Sequence, residues 1–130
     1  MTFKLSQTSL NKMAGVHPAL IEVMKLAITL SKVDFRITEG RRSTQRQREL
    51  LKAGATATLN SRHLTGHAVD VAALVNGKVR WDWPLYYSIA GAVKTAAKKL
   101  NVPIEWGGDW KSFKDGPHFQ LPWKQYPKGT

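Results

Sequence analysis

Two short segments hold the residues that could do chemistry. Ser61-Arg62-His63-Leu64-Thr65-Gly66-His67-Ala68-Val69-Asp70 offers an imidazole followed by a carboxylate. Asp115-Gly116-Pro117-His118 offers a second imidazole with a carboxylate just before it. If the segments converge, His63, Asp70 and His118 can ligate a divalent ion such as Zn2+, leave a position open for water, and have Asp115 beside them as general base. Two neutral imidazoles and one carboxylate leave such a complex net positive, which lowers the pKa of bound water toward ~7 and polarises a carbonyl. Each piece alone has a plainer explanation. Asp70 could pair with one of the many arginines, and Asp-Gly-Pro is an ordinary surface turn.

The elements that must position these residues follow from spacing. Pro18 opens an amphipathic helix through Leu30, with Leu20, Val23, Met24, Ala27 and Ile28 in phase. Val33, Phe35 and Ile37 alternate in a strand over 32–38, and Glu39-Gly40-Arg41-Arg42 reads as a turn. Thr44 with Gln47 resembles a capping box for a helix over about 45–52, stopped by Gly54. An exposed loop is expected over 55–62. The next strand, 68–75, places Ala68, Asp70 and Ala72 on one face and Val69 and Val71 on the other. Asn76-Gly77 predicts a hairpin returning through 78–81. Asp82 caps a helix with Pro84 in its first turn and Leu85, Ile89, Val93, Ala96, Ala97 and Leu100 along one face. A short strand falls at 104–106, and the last begins at His118, which faces the same way as Gln120 and opposite Phe119. The expected fold class is α+β, a small, mainly antiparallel sheet with helices packed on one side and the zinc site at the sheet. Residues 1–130 form one domain, with 1–17 and 122–130 peripheral.

Composition bounds the chemistry further. The absence of cysteine excludes disulfides, thiolate-bound zinc, iron–sulfur clusters and thiol catalysis, so any metal must use His, Asp or Glu. Lys and Arg total 20 against 9 for Asp and Glu, a net charge of +11 that favours an anionic partner: nucleic acid, anionic lipid or cell-wall polymer. The start, Met1 to Ser6, lacks the pattern of a signal peptide, and no apolar run is long enough for a membrane span. The chain therefore reads as a soluble monomer made in the cytoplasm.

Other candidates are weaker. Arg42, at the turn after the first strand, could stabilise an oxyanion or grip a carboxylate, or it could be a solvated arginine, and Arg41 reads as the solvent-facing neighbour. Strand alternation points His67 away from Asp70. His17 reads as a surface residue at a helix start. Trp106, Trp110, Phe113 and Trp123 form an aromatic-rich end whose rings are mostly core, with one or two available to wall a groove. Asp109 is a turn residue or, alternatively, a hydrogen-bond partner of a ligand histidine.

Ser61-x-His63-x-x-Gly66-x-Ala68-x-Asp70 with Asp115-x-x-His118 resembles the signature of the zinc D-alanyl-D-alanine carboxypeptidase and L-alanyl-D-glutamate endopeptidase family. Gly40-x-Arg42-Ser43-x-x-x-Gln47 resembles its upstream arginine motif, and Trp106-Gly107-Gly108-Asp109-Trp110 is similar to a segment of its phage endolysin branch. The resemblance implies His63, Asp70 and His118 as zinc ligands, Asp115 as the catalytic acidic residue and Arg42 as a substrate or transition-state contact. Gln47, Ser61, Trp106 and Asp109 are further substrate-binding candidates. It implies hydrolysis of the L-Ala–D-Glu bond of peptidoglycan stem peptides, with no wall-binding module, no nucleic-acid partner, and release to the wall through a separate membrane lesion. Two rivals stand beside it. One is a D-Ala–D-Ala carboxypeptidase or dipeptidase of the same family. The other is a basic wall- or nucleic-acid-binding module without chemistry, for which no finger, helix-turn-helix or RNA-binding signature is present.

Overall fold

The computed structural model describes residues 2–54, 61–127 and 129–130. Among the described residues, four helices, α1 (Gln7–Lys12), α2 (Pro18–Leu30), α3 (Thr44–Lys52) and α4 (Trp83–Leu100), accompany five strands, β1 (Asp34–Glu39), β2 (Ala68–Val75), β3 (Lys78–Arg80), β4 (Glu105–Trp106) and β5 (His118–Gln120). Short 3-10 turns occupy Arg62–Thr65 and Gly107–Asp109. Every strand pairing is antiparallel. The main order is β1-β2-β5-β4, and β3 pairs with β2 through the hairpin. Asn76 and Gly77 both have positive φ, 52° and 78°, as the tight turn demands. Among the described residues no helix is long and apolar enough to cross a membrane.

The two faces of β2 divide the molecule as its alternation predicts. Val69, Val71 and Ala73 enter the core with Phe35 and Ile37 of β1 and Phe119 of β5. Leu20, Val23, Met24, Ala27 and Ile28 of α2 and Ile89, Val93, Ala96 and Ala97 of α4 complete that core, so α2 and α4 pack on one side of the sheet. Asp70 lies on the opposite face.

Several boundaries differ from expectation. The ends are not peripheral. Helix α1 was not signalled, because its short polar run shows no apolar period; Met13 and Val16 just beyond it are buried, and Ser9 Oγ accepts from Ile37 N at 3.0 Å across the edge of β1. At the other end, the buried Arg62 guanidinium donates to the carbonyls of Leu121, at 3.0 and 3.1 Å, and Tyr126, and stacks on Trp123 at 4.2 Å. Arg62 therefore departs from the exposed loop expected over 55–62, of which 55–60 lie outside the described residues. Glu39 belongs to β1 rather than to the turn. Ser43, not Thr44, caps α3, accepting from Arg46 N. Asp82 occupies the cap position of α4 without bonding to it, its carboxylate pairing with Arg80 instead.

Candidate metal centre and active site

Asp70 and His118 are direct cross-strand partners in the β2–β5 register, and Glu39 faces Asp70 from β1. The row exists because β1 bulges between Ile37 and Glu39, which turns Glu39 onto the face of Asp70. His63 arrives from the 3-10 turn before β2. Ser61 caps that turn by accepting from His63 N at 3.2 Å, and Gly66 ends it at φ 76°. A Cβ on Gly66 would meet the Gly15 carbonyl oxygen at 2.3 Å, so this close crossing of chains admits glycine alone.

The three side chains converge tightly. His63 Nε2 is 3.3 Å and His118 Nδ1 is 3.1 Å from the same oxygen, Asp70 Oδ1. One ligand atom from each residue lies within 4.8 Å of the other two. The outer ring nitrogens set the tautomers. His63 Nδ1 sits 2.8 Å from the Gly40 carbonyl, which can only accept, so Nδ1 donates and Nε2 of the neutral ring carries a lone pair. That Nε2 is buried and has no hydrogen-bond partner among the described residues. His118 Nε2 is 2.8 Å from Gln120 Oε1, while Gln120 Nε2 donates to Glu105 Oε2 at 3.0 Å. The Glu105 carboxylate fixes the orientation of the amide, so His118 also donates outward and presents Nδ1 inward. Two lone pairs aimed at one carboxylate oxygen leave a deficit of positive charge at the centre. A metal cation, or protons in its stead, corrects it, and the tying of each outer nitrogen to an oxygen is the usual support of a ligand histidine. The donor set therefore fits a metal ion.

The electrostatics agree. Burial works to raise the Asp70 pKa, but the hydrogen bond from His118 and the charge of the His63 and His118 imidazoles outweigh it and hold the carboxyl well below the ordinary range. Burial works to lower that of His118, but Asp70 and Gln120 prevail and raise it. Asp115 moves the opposite way from Asp70, pushed up by burial and by the Asp70 charge.

Asp115 is placed by its backbone. Asp115 N donates to Gly107 O at 3.0 Å, His118 N donates to Asp115 O at 3.2 Å, and Val71 N donates to Pro117 O at 3.0 Å. A Cβ on Gly107 would lie 2.3 Å from the Asp115 carbonyl and 3.1 Å from His118 Cβ, so glycine there lets the turn close onto the ligand strand. Trp106 Nε1 donates to Gly116 O at 2.6 Å. Arg42 lies on the other flank. Its Nε and Nη2 donate to Glu39 at 2.5 and 2.8 Å, Nη1 donates to Gln47 Oε1 at 2.6 Å, and Nη2 stands 3.9 Å from Asp70 Oδ2. Arg42 is thus the ion partner of Glu39 and borders the Asp70 carboxylate.

The remaining candidates divide. Gln47 is wholly buried behind Arg42, Ser61 bonds to the His63 backbone, and Trp106 is buried against Phe119. Asp109 is exposed and pairs with Lys94 at 2.7 Å, away from the histidines. Arg41 is exposed as expected. His67 is buried with Nδ1 2.6 Å from Thr65 Oγ1, outside the ligand group, and His17 caps α2 and packs edge-on to Tyr126. Sequence reading passed over Glu39, Gln120 and Glu105. Alternation already put Gln120 on the face of His118, whereas the bulge that brings in Glu39 leaves no pattern to read.

The comparisons with known proteins point the same way. A model of the phage L-alanyl-D-glutamate peptidase family matches residues 1–121. The L-alanyl-D-glutamate peptidase of Escherichia phage T5 is 32% identical over 119 residues, covering 88% of this chain and 87% of that protein. That of Listeria phage A118 is 33% identical over 98% of this chain, which spans only 44% of its length. The peptidoglycan L-alanyl-D-glutamate endopeptidase CwlK of Bacillus subtilis is 35% identical, covering 89% of this chain and 81% of that protein. The crystal structure of the Serratia marcescens L-Ala D-Glu endopeptidase ChiX superposes with a TM-score of 0.92 at 50% identity, covering 97% of this chain and 95% of that one. With its ligand-type triad assembled and the family model matching 121 of its 130 residues, the chain belongs to the phage L-alanyl-D-glutamate peptidase family.

Proposed function

We propose that this chain is a zinc-dependent endopeptidase, one catalytic domain that hydrolyses the L-alanyl-D-glutamate bond of peptidoglycan stem peptides. The observation that carries the reading is the pair of inward imidazole nitrogens, His63 Nε2 and His118 Nδ1, converging on Asp70 Oδ1 with their outer nitrogens tied down. Zinc held by these residues would supply a Lewis acid, polarising the scissile carbonyl and making water acidic near neutral pH. Asp115 takes the proton from the attacking water and returns it to the leaving amine nitrogen of D-glutamate as the C–N bond breaks. Its raised pKa suits that exchange, since a carboxylate drawn toward the working pH both accepts and releases a proton readily.

Arg42 keeps guanidinium N–H groups beyond the three committed to Glu39 and Gln47, and these stabilise the developing oxyanion or hold a substrate carboxylate. Gln47, Ser61 and Trp106 act on the substrate indirectly, by positioning Arg42, His63 and the Asp115 turn. The relatives named as endopeptidases favour this reading over a carboxypeptidase. A binding module without chemistry has no use for the orphaned His63 Nε2. The protein would be made in the host cytoplasm and reach the wall through a separate membrane lesion, its charge of +11 aiding contact with an anionic envelope. Digestion of purified peptidoglycan, with and without chelator, followed by mass analysis of the fragments tests the reading. New L-Ala carboxyl and D-Glu amino termini that disappear on chelation are expected; intact peptidoglycan, or cleavage at another bond, contradicts it.

A further inference from the structure

The turn that carries Asp115 borders a second feature that hydrolysis of a bare peptide does not require. A cavity of about 200 Å³ runs from Asp115 and Gly116 to Trp81 and Trp83, with Lys114 at its rim. Trp81 is 61% exposed and Trp83 44% exposed, on a chain whose other tryptophans include the nearly buried Trp106. Neither ring is loose. Trp81 lies parallel to the buried ring of Tyr86, 3° between planes, and Tyr86 is itself fixed by donating to Arg80 O at 2.8 Å and accepting from Ala73 N at 3.0 Å. Trp83 packs edge-on to Trp106, and a Cβ on Gly116 would come within 3.2 Å of its Cζ3. Two held indole faces thus stay open to solvent at the door of the proposed base.

We propose that Trp81 and Trp83 form a carbohydrate-stacking subsite for the N-acetylmuramic acid unit that carries the stem peptide. This deepens, and rests on, the endopeptidase reading above. In peptidoglycan the amine of L-Ala is acylated by the lactyl arm of that sugar. The sugar therefore lies on the acyl side of the L-Ala–D-Glu bond, roughly two residue lengths or about 7 Å from it. A pyranose ring presents a face of C–H groups that complements the electron-rich face of an indole, while its hydroxyls remain in water. Rings that rest against buried aromatics, stay exposed and border the same cavity as the base match that ligand. A small apolar side chain of the peptide would need less surface and no second ring.

The test compares kcat/KM for N-acetylmuramyl-L-Ala-D-Glu-terminated peptide and for the same peptide without sugar. Wild-type protein is expected to prefer the muramyl substrate about tenfold, chiefly through KM, with Trp81→Ala bringing the ratio near one and Trp81→Tyr retaining most of it. Equal rates on the two substrates by wild type, or an unchanged ratio in Trp81→Ala, would overturn the subsite. Cleavage of neither substrate by the metal-loaded wild type would instead overturn the endopeptidase reading. On the unmutated protein, N-acetylmuramyl-L-alanine should move an indole N–H resonance that L-alanine alone leaves in place, and no such difference also overturns the subsite. A wild-type dimer that Trp81→Ala dissociates would assign the rings to self-association and end the proposal.

Discussion

Asp70 and His118 face each other across a hydrogen-bonded ladder, whereas Asp115 rides on the turn that leads into it. The first pair has its separation set by strand register, with the third member of the cluster, His63, locked by Ser61 and Gly40. The second region is held by backbone bonds to Gly107 and Val71 and by the Trp106 indole, and stays partly open. The charges diverge in parallel. Asp70 is pulled down by two imidazoles, and Asp115 is pushed up by burial and by Asp70. Coordination needs a permanent anion in fixed geometry; proton transfer needs a group near its titration point with access to water and to the leaving nitrogen. Two carboxylates close together serve both needs only if their surroundings part their pKa values.

The largest effect expected from this contrast is at the ladder. Asp70→Ala or His118→Ala should abolish stoichiometric zinc, read by elemental analysis, and reduce hydrolysis to background. Asp115→Asn should instead keep its zinc and lose about 10²–10⁴ in kcat; loss of the metal as well would make Asp115 a ligand and collapse the distinction. Between these lies Gln120→Leu, which frees His118 Nε2 and should weaken zinc affinity by about 10–100-fold, measured by competition with a chromophoric chelator.

A smaller effect belongs to the metal-free protein, where protons occupy the centre. His118 is raised above 6.5, so its pairing stabilises the fold fully below 6.5 and fades as pH climbs through the raised value. Asp70 is depressed from 3.8, so its share is present above 3.8 and is lost as pH falls through the depressed value. The difference in Tm between chelated wild type and chelated His118→Gln should therefore be widest between 3.8 and 6.5. The smallest effect is at the exposed Lys94–Asp109 pair. Asp109→Ala should change stability by less than about 1 kcal/mol and leave zinc content unchanged, as denaturant titration and elemental analysis would show.

The convergence of Asp70 and His118 was legible because their signal is local and periodic. A carboxylate inside the apolar run of β2 is costly unless paired, and alternation alone gave Asp70 and His118 their faces. The hairpin at Asn76-Gly77 and the amphipathic stripes of α2 and α4 were readable for the same reason. What the sequence hid is non-local. The β1 bulge brings Glu39 under Arg42, a serine from α1 satisfies the edge of β1, and Arg62 ties down the C-terminal segment. Each depends on a partner distant along the chain that no periodicity announces. Gln47 shows the limit at close range. The three-residue spacing from Thr44 suggested a cap, but the side chain turns inward to Arg42, because an ion pair needs a buried acceptor more than a helix end needs a second cap.

The most direct test is zinc titration by calorimetry of chelator-stripped protein, with peptidoglycan hydrolysis followed on the same samples. One zinc per chain is expected, bound with release of protons, with activity returning in proportion to occupancy. Full hydrolysis by stripped protein, or zinc binding that survives Asp70→Ala unchanged, would contradict it.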